Sequence, residues 1–173
     1  SSPLGVLNTL KGTPWEKKLG SGNVAALMNF FRGGNWYYYK GYRLPCLDRY
    51  SAVYNPDKVN IPYSGLLNNV IANWKDSFTP EEQKELLQLQ QEVAKNDIRM
   101  DNYCSGMYQG TRWFFNNDDL IKKTSDYHIT VNMASVRCDG LESAPAFADG
   151  YNFYTTDGLT LFQRSGNEYF SIM

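Results

Sequence analysis

Tyr127-His128-Ile129-Thr130-Val131-Asn132-Met133-Ala134 is the stretch on which the fold turns. Tyr127, Ile129, Val131 and Met133 alternate with His128, Thr130, Asn132 and Ala134. A period of two is what a half-buried β-strand requires, because successive side chains leave opposite faces of the backbone. That period begins at about Trp113, and Asn116-Asn117-Asp118-Asp119, before the 127–134 strand, reads as a hairpin turn. Further strands are expected at Tyr151 to Tyr154, Leu159 to Phe162 and Glu168 to Met173, with Asp157-Gly158 and Ser165-Gly166-Asn167 as punctuation.

Toward the N-terminus the period lengthens. Leu66, Leu67, Val70, Ile71 and Trp74 stand at i, i+1, i+4, i+5 and i+8, one face of an amphipathic helix. A second helix begins with Thr79 as N-cap, Pro80 in the first position and Glu82 three residues after the cap. Its apolar stripe is Leu86, Leu87, Leu89 and Val93, fading near Asn96-Asp97. A short polar turn joins the two, so they should lie antiparallel. Val24, Leu27, Met28 and Phe31 predict an earlier helix that Gly33-Gly34 should stop, and 35–60 is aromatic and turn-rich without helical periodicity.

The expected fold class is therefore α+β, with helices first and antiparallel strands second, packed as two units rather than interleaved. The boundary should fall near 97–110, which assigns 1–105 to the helical unit and 106–173 to the strand unit. The final strand stops at Ser171-Ile172-Met173 with no turn or polar tail, and so few strands make a poor sandwich. On that ground the chain is expected to be a piece of something larger.

Charge narrows the functions. The formal net charge is -1 over 173 residues, so this is no polycation built for nucleic acid, and a bound polyanion would need a local cluster of cations. No run reaches the roughly 20 apolar residues that span a bilayer, and the first residues do not read as a signal peptide. Cys46, Cys104 and Cys138 form no CxxC pair and are too few for a disulfide scaffold, so neither zinc nor another metal is expected. Asn116 to Asp119 lacks the spacing and trailing glutamate of a calcium loop. The single histidine, His128, has no nucleophile elbow near it and reads as a solvent-facing or hydrogen-bonded strand residue.

Two places retain chemical interest. Trp36-Tyr37-Tyr38-Tyr39-Lys40-Gly41-Tyr42-Arg43-Leu44-Pro45 sets aromatic rings beside cations, with Arg49 shortly after. Rings that stack on a pyranose, and a planar guanidinium that pairs with carboxylate or sulfate, would suit an acidic sugar. A Tyr-rich loop with solvated charges fits the same residues, and many of the rings in the chain suit a large aromatic core. Glu142, in Asp139-Gly140-Leu141-Glu142-Ser143, follows a strand and is either a surface carboxylate or one that orients an arginine across a domain junction.

Taken in order, these landmarks resemble polysaccharide lyase family eight, the chondroitin, hyaluronate and xanthan lyases. Trp113-Phe114-Phe115 and Tyr127 through Ser135 look like the first strands of the family's central β-sandwich, and Glu142, Asp149-Gly150-Tyr151-Asn152 and Thr156-Asp157-Gly158-Leu159-Thr160 like the segment after it. Gly41-Tyr42-Arg43-Leu44-Pro45 and Arg49 resemble the arginine-bearing segment near the end of the family's α/α toroid.

The resemblance implies the C-terminal helices of an α/α toroid followed by the first antiparallel strands of a sandwich. It implies β-elimination on uronic-acid-containing glycosaminoglycans, with Arg43 as the active-site arginine and Glu142 as its carboxylate partner. Arg49, Tyr42, Trp36 and Lys40 are then candidates for substrate contact. The family's Asn, His and Tyr precede the arginine segment, and no such set stands before Arg43, so the isolated chain is expected to be inactive and to need the remainder of a longer lyase. No cofactor is implied, and calcium in a longer protein is left open without a site here. The implied partner is an acidic polysaccharide, with no nucleic acid and no membrane, and the implied setting is periplasmic or secreted. A non-catalytic carbohydrate-binding module and a purely structural domain junction are the competing readings.

Overall fold

The computed structural model describes residues 3–40, 42–43, 64–93, 108–137, 157–166 and 168–169. Among them are four α-helices and six strands: α1 (Pro3–Leu10), α2 (Ser21–Asn35), β1 (Tyr38–Tyr39), β2 (Tyr42–Arg43), α3 (Ser64–Trp74), α4 (Pro80–Val93), β3 (Gly110–Phe114), β4 (Asp119–Lys123), β5 (His128–Met133) and β6 (Asp157–Gln163). The class is α+β, as expected. The expected boundary at 105/106 lies outside the described residues.

The helices pack around one core. Leu67, Val70 and Trp74 of α3 meet Leu86 and Leu89 of α4, together with Val24, Met28 and Phe31 of α2. Gln90 Nε2 reaches Asn68 Oδ1 at 2.7 Å, joining the end of α4 to the start of α3, so the pair is antiparallel. The capping box at the start of α4 is formed in both directions. The Thr79 amide donates to Glu82 Oε2 at 3.0 Å, and the Glu82 amide to Thr79 Oγ1 at 3.2 Å. Leu87, placed in the buried stripe from sequence, is 43% exposed: it stands one position off the Leu86–Leu89 face.

Gly33-Gly34 does not stop α2, which runs through to Asn35. Each glycine costs about 1 kcal/mol relative to alanine in a helix, an amount that tertiary bonds can override. Here Arg32 forks onto Glu85 with both bonds at 2.7 Å, and Asn35 Nδ2 donates to Glu92 Oε2 at 2.8 Å. Both carboxylates belong to α4, so the last turn of α2 is tied to its neighbour on either side of the glycines. Helix α1 carried no signal strong enough to be expected; its buried Leu4 belongs to the same core.

The second unit is one antiparallel sheet in the order β3-β4-β5-β6. The turn between β3 and β4 contains the expected asparagines, and Asp118 takes φ 52 in it, a left-handed conformation that aspartate tolerates better than most residues. Strand β4 lies where no strand was expected. Asp157-Gly158, expected as punctuation, lies within β6 at a register shift opposite Asn132/Met133, and Gly158 adopts φ 80 there. Glu168 and Tyr169 form a turn rather than the start of a strand, and the strand expected at 151–154 lies outside the described residues.

Strand β5 has the expected period and the opposite orientation. The polar row is the buried one: His128 is 0% exposed and Thr130 1%, whereas Ile129, Val131 and Met133 are only half-buried. The reason lies in what packs on each face. The buried face receives residues 35–39, which bring carbonyl, hydroxyl and amide partners for polar side chains along with Trp36 and Tyr37 packed on Ile121 and Leu161.

Candidate functional site

The aromatic stretch after α2 is a buried seam between helices and sheet. Trp36, Tyr37, Tyr38 and Tyr39 are 7%, 8%, 3% and 0% exposed. Of the two readings of these rings, core is the one observed. Trp36, expected as a substrate contact, has Tyr108 beside it at 6.5 Å and the Arg112 guanidinium at 5.8 Å from its ring, so protein occupies its surroundings. Lys40 does not present a free cation either. Its Nζ donates to the Arg164 carbonyl at 2.7 Å and lies 5.1 Å from the Tyr39 ring.

Arg43 sits on β2 with its backbone opposite Tyr38, and Tyr42 opposite Tyr39. The side chains of Tyr42 and Arg43 lie outside the described residues, as do Arg49 and Glu142 altogether. The hairpin turns at Lys40, whose φ of 50 is unusual for a side-chain-bearing residue.

Sequence reasoning missed the polar groups that hold this hairpin's approach. Lys123, on the inner face of β4, donates to the Asn35 carbonyl and to Asn35 Oδ1, each at 3.0 Å, and to Glu92 Oε1 at 2.9 Å. Burial pushes the Lys123 ammonium below its ordinary range, against the opposing pull of Glu92. Only the doubling of Lys122-Lys123 in a strand pattern could have flagged it, and that reads as two solvated charges.

His128 is the neighbour of Lys123 in the β4–β5 register. Its Nε2 lies 2.8 Å from the Trp36 carbonyl and its Nδ1 3.2 Å from Gln163 Oε1, while Gln163 Nε2 is spent on the Gly166 carbonyl at 2.8 Å. Tyr39 stacks on the imidazole at 5.6 Å with 14° between planes. Burial pushes His128 down to about 4; the Trp36 carbonyl opposes that shift and nearby Lys123 adds to it. Near neutral pH the ring is therefore uncharged, with its proton on the nitrogen that faces the backbone carbonyl. A buried imidazole committed in this way is a structural hydrogen-bonding residue rather than an acid or base for a substrate.

Three further hydrogen bonds complete the region. Tyr37 donates its hydroxyl to Asp119 Oδ2 at 2.7 Å, and Asn132 Nδ2 reaches Asp119 Oδ1 at 2.7 Å. Burial raises the Asp119 carboxyl, and these two bonds pull it back. Tyr108, at the entry to β3, donates to Glu85 Oε1 beside the Arg32 fork, a second link between strand unit and helices. Among the described residues no group of three or more His, Cys, Asp or Glu could hold a metal ion, and no helix is long and apolar enough to cross a membrane.

Comparison with known proteins agrees with the resemblance drawn from the landmarks. Residues 109–173 match polysaccharide lyase family 8, super-sandwich domain, the portion in which the resemblance was densest. A solved structure of chondroitinase AC lyase, studied through enzyme–oligosaccharide complexes and mutagenesis, superposes on 98% of this chain with a TM-score of 0.72 at 20% sequence identity. The chain spans 24% of that structure's length, and the shared fold extends across both its helical and its strand units. No curated protein sequence matches this chain.

Proposed function

We propose that this chain is the toroid–sandwich junction of a lyase that cleaves uronic-acid-containing glycosaminoglycans, chondroitin sulfate, dermatan sulfate or hyaluronan, by β-elimination. The observation that carries the reading is the coincidence of a super-sandwich match over 109–173 with a chondroitinase-like fold over nearly the whole chain. Elimination removes the proton from C5 of the uronate, forms the C4–C5 double bond and breaks the bond from C4 to its oxygen, which leaves as a hydroxyl after taking up a proton. The C5 proton is only weakly acidic, so charge developing on the adjoining carboxylate has to be neutralised by positioned donors. In this reading Arg43 supplies a guanidinium at the substrate, Glu142 orients it from the sandwich side, and Arg49 and Tyr42 contact the polysaccharide. The base that takes the C5 proton comes from outside this chain. His128 is unsuited to the task, since both its nitrogens face protein oxygens in a buried seam. A periplasmic or secreted setting, where such polysaccharides are met, goes with the proposal.

The alternative of a free-standing carbohydrate-binding module drew its support from the rings of 36–39, and their burial removes them from any open platform.

The test is binding of chondroitin sulfate oligosaccharide to the chain, followed by calorimetry at two salt concentrations. The reading expects salt-sensitive binding, at least about tenfold weaker in Arg43→Ala, a loss of about 1.4 kcal/mol. It also expects no rise in absorbance from unsaturated uronate. Binding indifferent to Arg43→Ala, or clear turnover by the chain alone, would overturn it.

A further inference from the structure

The hairpin that carries Arg43 is too small to hold itself. Its two strands contribute the pairs Tyr38↔Arg43 and Tyr39↔Tyr42, and a lone two-stranded hairpin is marginal in water. What holds it is visible one residue at a time along the preceding chain. Asn35 receives Lys123, Trp36 receives His128 on its carbonyl, and Tyr37 donates to Asp119. Tyr39 donates to the Ser125 carbonyl at 3.1 Å, and Lys40 to the Arg164 carbonyl at 2.7 Å.

The last two anchors share a location. Lys123, His128 and Gln163 stand in one row of the β4–β5–β6 register, so the turn holding Ser125 and the residue just past β6, Arg164, lie at the same end of the sheet. Tyr39, the last residue of β1, and Lys40, at the hairpin turn, are each bonded to a backbone carbonyl there. Backbone carbonyls at strand ends make fixed reference points. The Lys40 tether also helps to hold a left-handed residue, a conformation costly for lysine.

We infer that residues 35–40 are a strap that sets the position of Arg43 against the sheet, with Tyr39 and Lys40 as positioning residues for the polysaccharide site. This rests on the reading of Arg43 as the substrate-contacting arginine. The strap changes what the aromatic stretch is for: its rings and its lysine act through Arg43 and do not touch sugar. A shift of about 1 Å in an orienting group can cost on the order of 100-fold, so two carbonyl anchors next to the hairpin turn bear directly on the site.

A double-mutant cycle read by affinity for chondroitin sulfate oligosaccharide separates this from a merely structural role. Tyr39→Phe removes one buried hydroxyl and no charge, and should weaken binding about fivefold, the worth of one hydrogen bond. In the Arg43→Ala background the same change should have an effect within about twofold, because a residue acting through Arg43 loses its influence when Arg43 is gone. Lys40→Met, at the half-buried hairpin tip, should behave in the same way and carries the test should Tyr39→Phe fold poorly. An equal effect in both backgrounds overturns the inference; for Lys40 it would mean direct contact with the polyanion. No effect of either change, with Arg43→Ala still weakening binding, overturns the strap and leaves the Arg43 reading standing. Loss of any effect of Arg43→Ala overturns that reading, and the strap's role with it.

Discussion

Lys123 Nζ stands 2.9 Å from Glu92 Oε1, and each side chain is 2% exposed. The pair joins β4 to α4 and draws in Asn35 at the end of α2. An ion pair taken this far out of water gains little net stability, because desolvation offsets the attraction, yet breaking it strands one charge. Lys123→Met alone is expected to destabilise the fold by about 3–5 kcal/mol, and Lys123→Met with Glu92→Leu by clearly less. Urea unfolding of the single and double variants checks this; a double variant at least as unstable as the single would show that the pair's partners do more than neutralise each other.

His128 gives the fold an acid limit. Its folded pKa is about 4 against 6.5 for the free side chain. Between those values the unfolded chain binds a proton that the folded chain refuses, so stability is full above the upper value and falls as pH drops toward the lower. Below the lower value the loss is complete, up to roughly 3 kcal/mol. Protonation would add a bond to Gln163 Oε1, but the burial of a second cation beside Lys123 outweighs it. Unfolding free energies at pH 7 and pH 4.5 should diverge less in His128→Gln than in the unsubstituted chain; an equal divergence would place the proton uptake elsewhere.

Asp119 offers a finer probe of the seam. Its carboxyl is raised by burial and restrained by the bonds from Tyr37 and Asn132. Tyr37→Phe removes one restraint, so the Asp119 titration followed by carboxyl-carbon NMR should move to higher pH. A move to lower pH, or none, would mean that the Tyr37 hydroxyl does not bond the charged form.

Gly158 sits at φ 80 within β6, and a Cβ built there meets nothing within 4 Å. The cost of Gly158→Ala is therefore conformational rather than steric against neighbours, on the order of 1 kcal/mol. A thermal melt should show a drop of a few degrees; an unchanged midpoint would mean that the bulge relaxes.

At the N-terminus of α4, Thr79→Ala should cost about 1 kcal/mol, since the Glu82 amide loses its Thr79 Oγ1 acceptor while the Thr79 amide keeps its bond to Glu82 Oε2. Helicity and the unfolding midpoint read this directly.

How far the sequence could be read depended on the kind of signal. Period and capping chemistry are local, so α3, the start of α4 and the strand at 128–133 were legible residue by residue. The face that β5 buries was not, because it is decided by residues 35–39, which are remote in sequence, pack on that face and bring the Trp36 carbonyl to His128. The same cause hid Lys123: a lysine in a strand reads as solvated until Glu92 and Asn35 are brought to it. The rings of 36–39 were legible as rings, with core and groove left open, and tertiary packing chose core. Family resemblance drew attention to Arg43, and what the structure adds is how its hairpin is held.

The most direct test of the central claim is the separation between the Arg43 guanidinium and the Glu142 carboxylate in a crystal structure of the chain. If the two complete one polysaccharide site across the junction, their N···O distance should be within salt-bridge reach, about 4 Å. Side chains held well beyond that reach, with the hairpin still strapped through Tyr39 and Lys40, would contradict the assignment.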